Sequence, residues 1–170
     1  MVKDLRQVIS SIYIVEDFYR MGRLSQHIAT SARRRHPEPV VPAEIMGYFE
    51  EYTRLVLDMS AGLKDILITR DPELALRLTE DDDAVDDINH HLLRMLTQRE
   101  WKGTVRQAVE TSQLSRYYER FADHCAAAAG RIIYLATGLD PDRYMRKRDQ
   151  EQRDAEMEAR MAELERQFRN

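Results

Sequence analysis

The strongest constraint on this chain is where its helix breakers fall. The 170 residues include six glycines and five prolines. The prolines sit in His36-Pro-Glu-Pro39, at Pro42, at Pro72 and at Pro141. A sandwich or barrel needs many Gly/Pro turns at short intervals. Between these breakers, apolar residues instead recur at three- and four-residue spacing over long runs, the mark of an α-helix with one buried face.

The first run extends from about Lys3 to about Ser31, with Leu5, Val8, Ile12, Val15 and Phe18 at helical spacing. It ends in Arg33-Arg34-Arg35, cations favoured at a helix C-terminus, before the prolines stop it. The second, 42–69, opens on Pro42 and carries Ile45, Phe49, Tyr52, Val56, Met59 and Leu63. In the third, 71–98, Asp71 is the expected N-cap and Pro72 the first helical residue. Its stripe is Leu74, Leu78, Val85, Ile88, Leu92 and Leu96. The fourth, 104–138, runs from Thr104 to Gly138, a C′ glycine, with Val105, Val109, Phe121, Cys125, Ala128, Ile132 and Leu135 as its apolar face.

Short connections make neighbours antiparallel. The expected fold is all-α: an elongated antiparallel three-helix bundle with an additional N-terminal helix and a charged C-terminal helix. In Pro141 to Asn170, Met145, Met157, Met161, Leu164 and Phe168 form only a thin stripe among charged residues. This segment reads as a frayed tail, a short coiled coil or a lid.

Composition narrows the function classes. A hydrophobic fraction of 43% argues against disorder, and a net charge of −4 gives no basic nucleic-acid footprint. The one cysteine, Cys125, allows no internal disulfide and points to a reducing compartment, so a cytoplasmic location is expected. Lys3, Asp4, Arg6, Glu16 and Asp17 break any signal-peptide core, and no apolar run approaches the roughly 20 residues of a membrane span. Direct membrane insertion is not expected. No nucleotide loop, nucleophile elbow or cysteine pair is present, so the chain reads as non-enzymatic.

The chemistry-bearing residues are acids. Glu119 and Asp123 lie four apart in Arg116-Tyr-Tyr-Glu-Arg-Phe-Ala-Asp-His124, and Asp82 and Asp86 lie four apart in Glu80-Asp-Asp-Asp-Ala-Val-Asp-Asp-Ile88. Residues four apart share a helix face. Asp82 stands beside the apolar stripe, four after Leu78 and three before Val85. Consecutive acids in mid-helix repel one another, and a cation would relieve that. Against this stand a solvated acidic face for the first pair and ordinary ion pairs with Arg116 and Arg120 for the second. Four oxygen donors without an obligatory Cys or His suit Mg²⁺, Mn²⁺, Ca²⁺ or iron better than structural zinc. A ferritin-like di-iron oxidoreductase needs two Glu-x-x-His motifs, and Asp87-x-x-His90 is the only near match.

Sliding the chain on itself by 100 residues lays Leu5-Arg6-Gln7 on Val105-Arg106-Gln107. It also lays Ile9 on Val109, Arg20 on Arg120, Met21 on Phe121, Gly22 on Ala122 and Ala29 on Ala129. A divergent repeat and chance similarity between two amphipathic helices both fit. At this register Tyr19 and Arg23 stand where the second copy has Glu119 and Asp123.

Glu119-Arg-Phe-Ala-Asp-His124, with Tyr134-Leu-Ala-Thr-Gly138 after it, resembles the closing helix of a PhoU-type repeat. Asp4-Leu-Arg6 through Arg20-Met-Gly22 resembles the closing helix of that family's first repeat, and Asp82-Asp-Ala-Val-Asp86 its other acidic motif. The resemblance implies two three-helix repeats in a soluble bacterial regulator of phosphate uptake. It implies multinuclear iron or zinc on acids of the kind that Asp82, Asp86, Glu119 and Asp123 match. It also implies binding to the ATPase subunit of the phosphate ABC transporter and to the phosphate sensor histidine kinase. On that pattern residues 1–36 are the closing helix of an incomplete first repeat, 40–139 a complete repeat and 140–170 a tail without counterpart. One metal site is expected, not two. Without the first repeat's other helices, apolar surface on helix 3–31 is left exposed, and self-association through it follows as an expectation. A metal-free helical adaptor is the remaining alternative.

Overall fold

The structure, a computed structural model, describes residues 2–98 and 101–168, without the side chains of residues 2–4. Asp4, part of the motif on the first helix, thus has no described side chain, and Asn170 at the tail's end lies outside the described residues. Among the described residues there are six α-helices, one 3-10 turn and no strand. They are α1 (Val2–Arg35), the 3-10 turn Ala43–Ile45, α2 (Met46–Thr69), α3 (Pro72–Glu80), α4 (Asp82–Thr97), α5 (Val105–Thr137) and α6 (Pro141–Phe168).

The breakers act as their chemistry requires. Asp71 caps α3 by accepting from the amides of Glu73 at 2.8 Å and Leu74 at 3.4 Å, with Pro72 at the first helical position. Thr104 and Gln107 form a reciprocal capping box at the start of α5. Gly138 ends α5 at φ 82°, and a Cβ there would also meet the Arg6 guanidinium at 2.8 Å. The left-handed backbone favours glycine here, whereas the flexible Arg6 side chain could move aside.

The bundle is built around α5, which contacts α1, α2, α3, α4 and α6. Its buried residues Leu114, Tyr118, Ala122, Cys125, Ala128, Ala129, Ile132 and Ile133 meet the whole expected stripe of α2 and Ala75, Leu76, Leu78, Val85 and Leu92 of α3 and α4. The predicted face of α5 holds at Cys125, Ala128 and Ile132, but Val105 and Val109 are exposed.

The expected helix 71–98 is two helices. The chain kinks at Asp81, so the acidic run does not lie in mid-helix: Asp82 and Asp83 occupy the first turn of α4. There the helix dipole favours carboxylates, which offsets part of their repulsion.

The first helix differs most from the predicted packing. It lies antiparallel to α5: Arg6 meets Tyr134, Asp17 meets His124, His27 stacks on Tyr117 and Arg35 reaches Glu110. These pairs centre near Met21 and Phe121, two residues superposed by the 100-residue shift. The face turned to α5 carries Ser10, Ile14 and Met21 as its buried residues. The expected stripe Leu5, Val8, Ile12, Val15 and Phe18 points the other way and is exposed throughout. The tail is helical, as its sequence allows, but none of its residues is buried.

Candidate metal-binding site

The four predicted acids come from two packed elements, the start of α4 and the middle of α5. Asp82 and Asp86 lie on successive turns of α4, and Glu119 and Asp123 on successive turns of α5, which packs against α4. Burial pushes the Asp82 carboxyl up to about 7, and the charges of Asp123, Asp86, Glu119 and Asp83 add to the effect. Burial raises Glu119 too, with Asp123 and Asp86 reinforcing the shift against Arg116 and Arg120. Asp82 and Glu119 are thus both raised by burial and by the acids around them, which places the four carboxylates within electrostatic reach of one another.

Two oxygens here have no partner among the described residues. Asp82 Oδ1 and Glu119 Oε2 are buried without a hydrogen bond. A buried carboxylate oxygen left unpaired is costly, and a cation is one of the groups able to satisfy it. Two other oxygens on α5 are turned to arginines: Glu119 Oε1 accepts from Arg116, and Asp123 Oδ2 from Arg120 at 3.3 Å. Among the described residues no group of three His, Cys, Asp or Glu side chains is arranged to hold one metal ion. The donor chemistry, the charge and the two unpaired oxygens thus fit a hard cation, whereas the side-chain rotamers are those of an ion-paired cluster. Coordination through Glu119 Oε1 or Asp123 Oδ2 requires that oxygen to leave its arginine, one turn away.

Polar residues under the site went unpredicted. Tyr52 donates to Ser115 Oγ at 2.7 Å, and Ser115 donates to Asn89 Oδ1 at 2.8 Å. Burial pushes the Tyr52 hydroxyl up to about 12, and the charges of Glu119 and Asp86 raise it further. This chain of three buried groups joins α2, α5 and α4 directly beneath the acids. A trace of it is visible in the pattern, since Asn89 falls four after Val85 and three before Leu92, on the stripe itself. Tyr118 stacks on Tyr52 with centroids 5.2 Å apart, a packing role.

The histidines are interhelical or exposed, as expected. His124 donates through Nδ1 to Asp17 of α1 at 2.9 Å, His91 bonds Tyr48 and His90 is exposed. The Asp17–His124 pair links α1 to α5 next to Asp123. Nothing in local spacing announces it, because its members lie on different helices far apart in the chain. Cys125 is buried, and burial pushes its thiol up to about 12, with Asp82 and Asp17 adding to the shift. It stays a neutral packing group rather than a thiolate ligand.

Comparison with known proteins agrees with the geometry. The family described as PhoU domain matches residues 49–132, which spans α2 to α5 and includes all four acids. The chain is 46% identical over 138 residues to a "Phosphate-specific transport system accessory protein PhoU homolog 2" of Mycobacterium tuberculosis (strain ATCC 25618 / H37Rv), covering 81% of this chain and 65% of that protein. It is 45% identical over 139 residues to a PhoU homolog 1 of Mycobacterium leprae (strain TN), covering 82% of this chain and 63% of the relative. A PhoU homolog of Zymomonas mobilis is 29% identical over 154 residues, covering 86% of this chain and 62% of that protein. The chain thus spans less than two thirds of the length of the relatives it matches. On the strength of these matches and its all-helical bundle, the chain belongs to the PhoU family.

Proposed function

We propose that this chain is a non-enzymatic, cytoplasmic regulator of phosphate homeostasis. It damps uptake through the phosphate ABC transporter and phosphate-starvation two-component signalling by binding other proteins. The observation that carries this reading is the kinship with relatives named phosphate-specific transport system accessory proteins at 40–46% identity over most of the chain. The absence, among the described residues, of a helix long and apolar enough to cross a membrane is compatible with it. The partners are the transporter's ATPase subunit and the sensor histidine kinase. Expressing the chain in bacterial cells that lack PhoU should lower their phosphate uptake rate. Unchanged uptake, with no binding to the purified ATPase subunit or kinase, refutes the reading.

The regulator carries one acidic metal site, formed by Asp82, Asp86, Glu119 and Asp123. Iron or zinc is the metal favoured by family resemblance, and Mg²⁺ or Mn²⁺ is also compatible with oxygen ligands. The two unpaired buried oxygens support it. Asp82→Asn combined with Glu119→Gln should abolish bound metal in elemental analysis, and unchanged stoichiometry would remove the site. A second reading, a metal-free helical adaptor, is favoured by the ion pairs already made by Glu119 and Asp123. It wins if the purified metal-free protein keeps full partner binding. The outward apolar face of α1 is a contact surface in either reading. A homo-oligomer formed through it would be excluded by a compact monomer at high concentration in sedimentation.

A further inference from the structure

The C-terminal helix α6 touches the bundle only near its start. Its base is anchored: Pro141 packs on Gly130, Tyr144 donates to Glu73, and Arg148 lies 3.5 Å from Glu73. From Gln150 to Phe168 every residue is exposed. A charged helix that buries no face gains no stability from tertiary packing.

Its sequence names the partner. Met157, Met161, Leu164 and Phe168 follow one another at spacings of four, three and four. These are successive d, a, d, a positions of a heptad, and all four are exposed, Phe168 at 87%. With Met161 at a, the e positions are Glu151, Glu158 and Glu165, and the g positions Arg146, Arg153 and Arg160. In a parallel two-stranded coil each g residue faces the e residue five positions on in the other chain. All three such pairs are then Arg–Glu: 146 with 151, 153 with 158 and 160 with 165. In an antiparallel coil, Arg would face Arg and Glu would face Glu. Among the described residues, Arg153, Arg160, Glu158 and Glu165 make no ion pair within their own chain. Asp154 at the next a position repels its copy, so the dry seam starts at Met157.

We propose that α6 pairs with α6 of a second copy of this chain as a parallel, in-register coiled coil over residues 157–168, its direction set by the Arg–Glu pairs that flank it. Such a seam is short and its affinity modest. Its consequence is avidity, since it tethers two bundles so that a partner with two equivalent sites meets both.

The test uses the full chain carrying Met157→Cys, oxidised under mild conditions. An in-register parallel coil brings the two engineered thiols together and yields a disulfide-linked dimer. Arg153→Glu with Arg160→Glu should lower the yield at least about tenfold by placing four Glu–Glu contacts at the seam. A chain carrying Met157→Cys with Glu158→Arg and Glu165→Arg should fall likewise, and mixing the two variants should restore a mixed dimer. Circular dichroism checks that each variant keeps its helix content. The proposal is overturned if Met157→Cys does not cross-link. It is equally overturned if charge reversal leaves the yield unchanged, or if Met157→Cys cross-links instead to a Phe168→Cys chain, the antiparallel outcome.

Discussion

The helices α1 and α5 are close in length, can be laid on each other by a 100-residue shift and lie antiparallel about Met21 and Phe121. Their neighbours nevertheless treat them oppositely. On α5 both sides are covered, by α1 on one and by α2, α3 and α4 on the other. On α1 only the side toward α5 is covered. At equivalent positions the contrast is quantitative: Ser115, Tyr118 and Glu119 are 0%, 9% and 8% exposed, whereas Val15, Phe18 and Tyr19 are 67%, 40% and 64% exposed. The apolar residues lie in the open and the polar ones are buried. Burial is a property of neighbours, so the same helical pattern reads as core in one place and as contact surface in the other.

Substitutions at paired positions test this contrast directly. Tyr118→Ala, which removes a ring stacked on Tyr52, should cost about 3–4 kcal/mol in denaturant unfolding. Phe18→Ala should change stability by less than about 0.5 kcal/mol in dilute solution. A comparable loss at Phe18 would mean that the outer face of α1 is covered in solution, and the contrast would fail. One turn earlier, Ser115→Ala strands the Tyr52 hydroxyl and Asn89 Oδ1. That should cost about 1–3 kcal/mol, against almost nothing for Val15→Ala.

The acids give a prediction with a sign. The Asp82 carboxyl is raised to about 7, chiefly by burial and then by its acidic neighbours. The folded state therefore binds this proton more tightly than the unfolded state does. Stability of the metal-free protein from this group is fully present near pH 4 and falls as pH rises toward 7. Asp82→Asn removes that slope. After discounting for solvent screening, the variant should gain on the order of 1 kcal/mol at pH 8 in chelator and nothing at pH 4. Thermal unfolding at the two pH values measures it. A gain at both would show that the effect is not ionisation. At the 100-residue register on α1, Tyr19 and Arg23 stand in place of Glu119 and Asp123.

The smallest effect sits at the centre of the pair. Gly22 is exposed, and a Cβ there meets nothing within 4 Å, while Ala122 is fully buried. Gly22→Ala should stabilise the chain by about 0.5–1 kcal/mol in thermal unfolding. Ala122→Leu, overpacking the core at the equivalent place, should destabilise it by about 1–3 kcal/mol.

Much of the fold was legible because helix ends and faces are local properties. Asp71, Pro72, Thr104 and Gly138 act through groups within four residues of themselves, and the α2 stripe is buried residue for residue. The kink at Asp81 was missed because a continuous apolar period does not reveal a bend that preserves the facing of both halves. The acids of the candidate site were legible by their spacing and their unusual density. The groups beneath them were less so: Ser115 and Asn89 are small polar residues on an apolar stripe, and their partners belong to other helices.

By itself the sequence determined that this protein is helical, where its capped helix ends at Asp71, Thr104 and Gly138 fall, and which acids share a face. Those outcomes follow from interactions spanning a turn or two, which are the same in any context. Tertiary structure alone decided that α4 and α5 bring two carboxylate pairs into mutual repulsion with two buried oxygens unpaired. It also decided that the Tyr52–Ser115–Asn89 chain underlies them, and that the most apolar face of α1 is turned away from the core. Each depends on residues distant in the chain arriving at one place, and no local pattern encodes which neighbours will be there.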